Sequence, residues 1–114
     1  MNKSIETEVS NYMSFFNKRH IGKGPQDIRV KIVDDTLIYF IYGLMNTMEK
    51  KIIESEGGEG VVLNARKMFV ESTREERVEE FEKIVGLKVI EHYASWTLDN
   101  DSAVGVVVFE DKIN

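Results

Sequence analysis

Few side chains in this sequence have types that could do chemistry: His20, His92, the pair Asp34-Asp35, and the strand-borne aromatics Tyr39, Tyr42, Tyr93 and Trp96. A histidine works as a base or ligand when a carboxylate or thiolate orients it. His92 has no such partner near it in sequence, and His20 falls at a helix end, so both read as structural or exposed. Paired aspartates can ligate a metal or share a proton, but no third ligand lies near Asp34-Asp35, and Asp is a common turn residue. The pair therefore reads as the turn of a tight hairpin. The glycines at 57, 58 and 60 precede a helical pattern, as in phosphate-binding loops, yet Glu54, Glu56 and Glu59 around them would repel an anion. No residue set supplies nucleophile, base and orienter together, so the expectation is no enzyme, no cofactor and no metal.

These residues need elements to hold them. Residues 4–21 carry Ile5, Val9, Tyr12, Met13, Phe16 and Ile21 at helical spacing, with Phe15 beside the stripe as spare apolar surface for a partner. The corner Gly22-Lys23-Gly24-Pro25 ends that helix, its glycines permitting positive φ and Pro25 fixing the next one. Ile28, Val30 and Ile32 then alternate with Arg29 and Lys31, a strand with one wet face. Residues 37–42 are apolar on both faces and need cover on two sides, which predicts a homodimer.

Asn46-Thr47-Met48-Glu49 has the form of a capping box, so a helix starts near Thr47 and runs to Glu56. A second helical pattern follows the glycines and continues from Asn64 to Val85, ended by Gly86. Its middle, from Glu71 to Arg77, is charged on all sides and reads as a solvated face. Residues 88–97 and 103–110 form a second hairpin, with Ile90, His92, Ala94 and Trp96 on one face and Val89, Glu91 and Tyr93 on the other. Gly105 in the last strand admits the close approach of another chain. The order α-β-β-α-α-β-β gives an α+β two-layer sandwich, an antiparallel sheet with helices on one face, as a single domain over residues 1–114.

Composition excludes several classes of function. At 114 residues and 42% hydrophobic content the chain can bury a core, and no segment is long and apolar enough to insert into a membrane. A net charge of −5 argues against nucleic acid as the main partner. Lys18, Arg19, His20 and Lys23 cluster near the first corner, but cations are favoured in a last helical turn whatever the function. Residues 1–8 lack the apolar core of a signal peptide and cysteine is absent, so the expected location is cytoplasmic, with a peripheral place at the membrane also open.

Taken in order, Gly22-Lys23-Gly24-Pro25, Gly43-Leu44-Met45-Asn46-Thr47-Met48-Glu49, Gly58 with Arg66, and Gly86-Leu87-Lys88-Val89 resemble the MpsC-like family over nearly the whole chain. The positions that match are Gly22, Gly24, Pro25, Gly43, Glu49, Arg66 and Gly86. Asn46-Thr47 stands where the family favours Thr-Pro, and Ser95 where it tends to carry Asp. The resemblance implies a small component of a sodium-translocating, membrane-potential-generating system, acting beside integral membrane subunits and with no known reaction. Most matched positions look architectural. Arg66 and Glu49 are the exceptions, since Arg66 sits in a helix lined by Val62, Ala65 and Phe69 and needs a carboxylate, either within the chain or across an interface.

The leading expectation is an interaction module for membrane transport subunits, with Arg66, Glu49, Phe15 and Phe16 as contact candidates. The alternative is a dimeric regulatory domain that holds a small ligand in a pocket walled by Tyr39, Tyr42, Tyr93 and Trp96.

Overall fold

The computed structural model describes residues 2–114, with side chains from residue 4. The elements are α1 (Asn2–Ile21), β1 (Asp27–Val33), β2 (Thr36–Tyr42), α2 (Thr47–Ile53), α3 (Gly58–Ser72), α4 (Arg74–Val85), β3 (Val89–Thr97) and β4 (Ser102–Phe109). The strands form one antiparallel four-stranded sheet in the order β1-β2-β4-β3. This is the α+β architecture expected from the sequence, with helices packed on one face.

Alternation decides which side chains face the helices. Val30 on β1, Leu37, Tyr39 and Ile41 on β2, and Ala103, Val107 and Phe109 on β4 are buried in one core with Val9 and Met13 of α1 and Phe81 of α4. Among the described residues no helix covers the opposite face. There Ile38, Phe40, Val104, Val106 and Val108 are only half-buried, and Tyr93 is 57% exposed.

Three local features depart from the sequence reading. The helical pattern after Asn64 is interrupted at Thr73, whose backbone (φ −109°, ψ 9°) leaves helical geometry. The Phe69 carbonyl accepts there from both the Thr73 amide at 3.1 Å and the Thr73 hydroxyl at 2.7 Å, while the Val70 carbonyl one position on takes the Arg77 side chain. After the break, Arg77 and Phe81, one turn apart, share the buried face of α4, so the segment expected to be solvated carries a buried cation. In β3 a bulge between Val89 and Glu91 resets the alternation. Val89 packs against the core and Ile90 is 58% exposed, the reverse of the expected assignment, whereas His92, Ala94 and Trp96 keep theirs.

Gly105 does admit a close approach, but by a side chain of the same molecule. The Tyr39 ring lies where a Cβ on Gly105 would stand, and Tyr39 thereby reaches across β4 to His92 on β3.

Candidate functional site

A cavity of about 360 Å³ lies between the inner face of the sheet and the four helices, each of which lends it side chains. Its walls are mostly apolar, with Phe16 from α1, Ile41 from β2, Leu44 before α2, Phe69 from α3 and Trp96 from β3. Two arginines, Arg66 and Arg77, also line it.

The Arg66 group is built outward from a helix cap. Asn46 caps α2, its Oδ1 accepting from the Glu49 amide at 2.8 Å, while Glu49 Oε1 accepts from the Asn46 amide at 3.2 Å. The carboxylate is thereby aimed at α3, where Arg66 Nε donates to Oε2 at 3.0 Å and Arg66 Nη2 to Oε1 at 2.9 Å. Both side chains are largely covered, at 11% and 15% exposure. Burial acts to raise the Glu49 carboxyl, but the Arg66 guanidinium and the Asn46 amide outweigh it and hold the group below its ordinary value. The loop before α2 is fixed from two further sides. The Met45 amide donates to both oxygens of Asp101, at 3.0 and 3.1 Å, and Lys23 Nζ donates to the Met45 carbonyl at 3.0 Å.

The Arg77 group is deeper and differently made. Arg77 is 3% exposed, its Nη2 donates to the Val70 carbonyl, and its guanidinium carbon stands 5.8 Å from the Phe16 ring centroid. Its Nε has no hydrogen-bond partner, and no carboxylate pairs with it, among the described residues. Tyr39 sits against the guanidinium, with its hydroxyl 2.9 Å from His92 Nε2. A neutral imidazole Nε2 can accept the phenol O–H, an arrangement that leaves the Tyr39 oxygen free to face the guanidinium. Burial, together with Arg77 and Arg74, pushes the His92 pKa down to about 4, so the ring is neutral near pH 7. Burial likewise pushes the Tyr39 phenol up.

The expected site residues therefore divide. Glu49 and Arg66 meet each other, within the chain. Phe15 is 60% exposed, but Phe16 is 2% exposed and lines the cavity, because adjacent helical positions point about 100° apart; it is core and not contact surface. The four aromatics do not form one pocket. Tyr39 and Trp96 line the cavity, Tyr42 faces the opposite side of the sheet beneath the Arg29 guanidinium, and Tyr93 is exposed on that same side. Tyr39 and Tyr42 are three apart in one strand and so must point to opposite faces. Of the matched corner residues, Gly22 and Gly86 close their helices at φ 84° and 83°, and Gly43 bends the chain out of β2 at φ 76°. Gly24 and Pro25 shape the run into β1 without positive φ.

Arg77 is the residue the sequence reading missed. Its signal was position: it precedes Phe81 by one turn and thus lies on the stripe of Phe81, Ile84 and Val85. Among the described residues no group of His, Cys, Asp or Glu is placed to hold a metal ion, and no helix is long and apolar enough to cross a membrane.

A two-layer α+β domain with an arginine-bearing apolar cavity on one side of its sheet and an uncovered apolar face on the other is the class of molecule these features define. By sequence, residues 1–111 match the family model described as Na+-translocating membrane potential-generating system (MpsC), and the chain belongs to that family. It is also 26% identical, over 115 aligned positions covering 100% of this chain and 93% of the relative, to the uncharacterized protein YrhF of Bacillus subtilis (strain 168). No solved structure matches the chain.

Proposed function

We propose that this protein is a non-enzymatic accessory component of a Na+-translocating, membrane-potential-generating system, acting as a homodimer that docks on integral membrane subunits from the cytoplasmic side. Family membership supports the association with such a system. The observation that carries the interaction role is the uncovered sheet face, where the central strands β2 and β4 present Ile38, Phe40, Val104, Val106 and Val108 half-buried. Central strands with apolar residues on both sides call for a second layer.

A second copy of the chain fits that role by charge. The outward side of edge strand β1 carries Lys31, and that of the other edge strand, β3, carries Glu91. A two-fold axis parallel to the strands lays β1 of one copy over β3 of the other, so Lys31 meets the stretch of Glu91 and Tyr93; an axis across the strands would lay β1, with Arg29 and Lys31, over its own copy. The first arrangement is self-complementary, and it leaves the exposed Phe15 and Met68 of the helical layer for membrane subunits.

Sedimentation velocity at micromolar concentration tests the dimer. The expected mass is twice the 13.1 kDa of the chain, with Phe40→Glu and Val106→Lys giving folded monomers. A wild-type monomer, or variants that still dimerise, would refute the assembly. Purification of the tagged protein from native membranes in mild detergent then tests the accessory role, with Na+-transport subunits as the expected companions. Recovery of the dimer alone would refute that role.

A further inference from the structure

We infer that the cavity is a binding site for a monoanionic organic acid, with the carboxylate on Arg77 and an apolar body along Phe16, Ile41 and Trp96. The contacts of Arg77 are incomplete. Arg77 is 3% exposed, lines the cavity, and leaves Nε without a partner among the described residues. A guanidinium stays charged at any physiological pH, and a buried charge without a counter-ion is costly.

Among the described residues no neighbour supplies the missing anion. The groups facing Arg77 are the Tyr39 and Tyr12 phenols, raised by burial and so neutral, the neutral His92 ring, and Arg74, a further cation. Glu49, the carboxylate in the cavity lining, is engaged with Arg66, and of the two that act on Tyr12, Glu76 is paired with His20 at 3.1 Å and Glu80 with Lys83 at 3.9 Å. Asn17, also buried on the cavity wall, spends its amide on the Met13 carbonyl at 2.8 Å.

The rest of the lining decides what accompanies the anion. One guanidinium edge and apolar walls suit a single carboxylate on a hydrophobic body, whereas phosphate or sulfate would need more donors than remain free. A volume of about 360 Å³ is at the small end for organic ligands, which points to medium-chain or single-ring acids and excludes long lipids. Alkyl and aromatic acids share this chemistry, and the probes separate them.

Trp96 is the one tryptophan in the chain and stands in the cavity wall, so its fluorescence reports occupancy. We expect octanoate or 3-phenylpropionate to give a saturable change with one site per chain, the tighter of the two identifying the alkyl or aromatic source. Octanol and 3-phenylpropanol, which keep the body and lose the charge, should bind at least about tenfold more weakly. Arg77→Met should weaken the acids by about the same factor and leave the alcohols unchanged. Ala94→Phe, which fills the cavity with Arg77 intact, should abolish binding of both kinds. If neither acid saturates, if alcohols bind as tightly as acids, or if folded Arg77→Met and Ala94→Phe proteins bind like the wild type, the inference is wrong. Isothermal calorimetry on the same solutions gives the stoichiometry without relying on the indole.

Discussion

Two arginines enter the same cavity from successive helices, and their surroundings are opposites. Arg66 of α3 finds a carboxylate already aimed at it, because Glu49 is the third residue of a helix whose cap holds both its backbone amide and one of its oxygens. Arg77 of α4 is more deeply buried, yet it meets only neutral oxygens, the Val70 carbonyl and the Tyr39 phenol. A cation whose counter-ion is fixed by a local motif belongs to the fold. A cation buried without one leaves the molecule electrostatically incomplete until an anion arrives.

The largest effect expected from this contrast is at the satisfied arginine. Glu49→Ala removes the bidentate partner and the reciprocal half of the capping box together, leaving Arg66 covered and unpaired. We expect a loss of about 3 kcal/mol in urea unfolding, and nearly as much for Arg66→Ala. The double variant should lose far less than the sum, with a coupling of about 2 kcal/mol. Additive losses would mean that the pair is a crossing of two side chains and not an energetic unit, and the comparison would fail on its better-defined side.

A smaller effect follows from His92, whose neutrality keeps one more positive charge away from Arg77 and Arg74. Its folded pKa of about 4 lies below the ordinary 6.5, so the unfolded chain takes up the proton first as pH falls. Stability is then intact above about pH 6.5 and is lost progressively toward pH 4, by about 2 kcal/mol between pH 7 and pH 5. Glu49, whose carboxyl is held low, adds its own loss only below its ordinary 4.5. His92→Gln, which retains an acceptor for Tyr39 without a titrating ring, should flatten the curve between pH 7 and pH 5. An unchanged slope in that variant would assign the pH dependence to another group and leave the charge around Arg77 undefined.

The same contrast separates what the sequence disclosed from what it hid. The Asn46–Glu49 cap was legible because a capping box is complete within four residues, and the hairpin of β1 and β2 was legible because Ile28, Val30 and Ile32 alternate with charges. The demand of Arg66 for a carboxylate was also legible, from its apolar helical neighbours. Which carboxylate it takes is a tertiary fact: Glu49 stands 17 positions away. Arg77 was hidden because the charged residues beside it dominate any local window, while the break at Thr73 that precedes its buried turn is a change of backbone geometry at one residue, with no glycine or proline to mark it. The bulge after Val89 exchanged the faces of two residues that strict alternation would place the other way. Asp101 is a turn residue at φ 50° whose carboxylate binds the Met45 amide 56 positions away, and nothing within its loop announces that partner.

The smallest expected change in stability comes from the arginine with the deepest burial. Arg77→Met keeps most of the aliphatic stem over Phe16 and removes a charge that no carboxylate among the described residues pairs with. The substitution gives up the hydrogen bond to Val70 and the contact with Tyr39, and it also relieves the desolvation of a guanidinium. These opposed effects should leave the protein within about 1 kcal/mol of wild type at pH 7. They should also raise the His92 pKa from about 4, because a neighbouring cation that depresses it is gone. Urea unfolding and an NMR titration of the His92 ring read the two effects separately. A loss as large as that of Arg66→Ala, with His92 unmoved, would show that Arg77 is held by interactions as strong as the Glu49 pair, and the asymmetry between the two arginines would disappear.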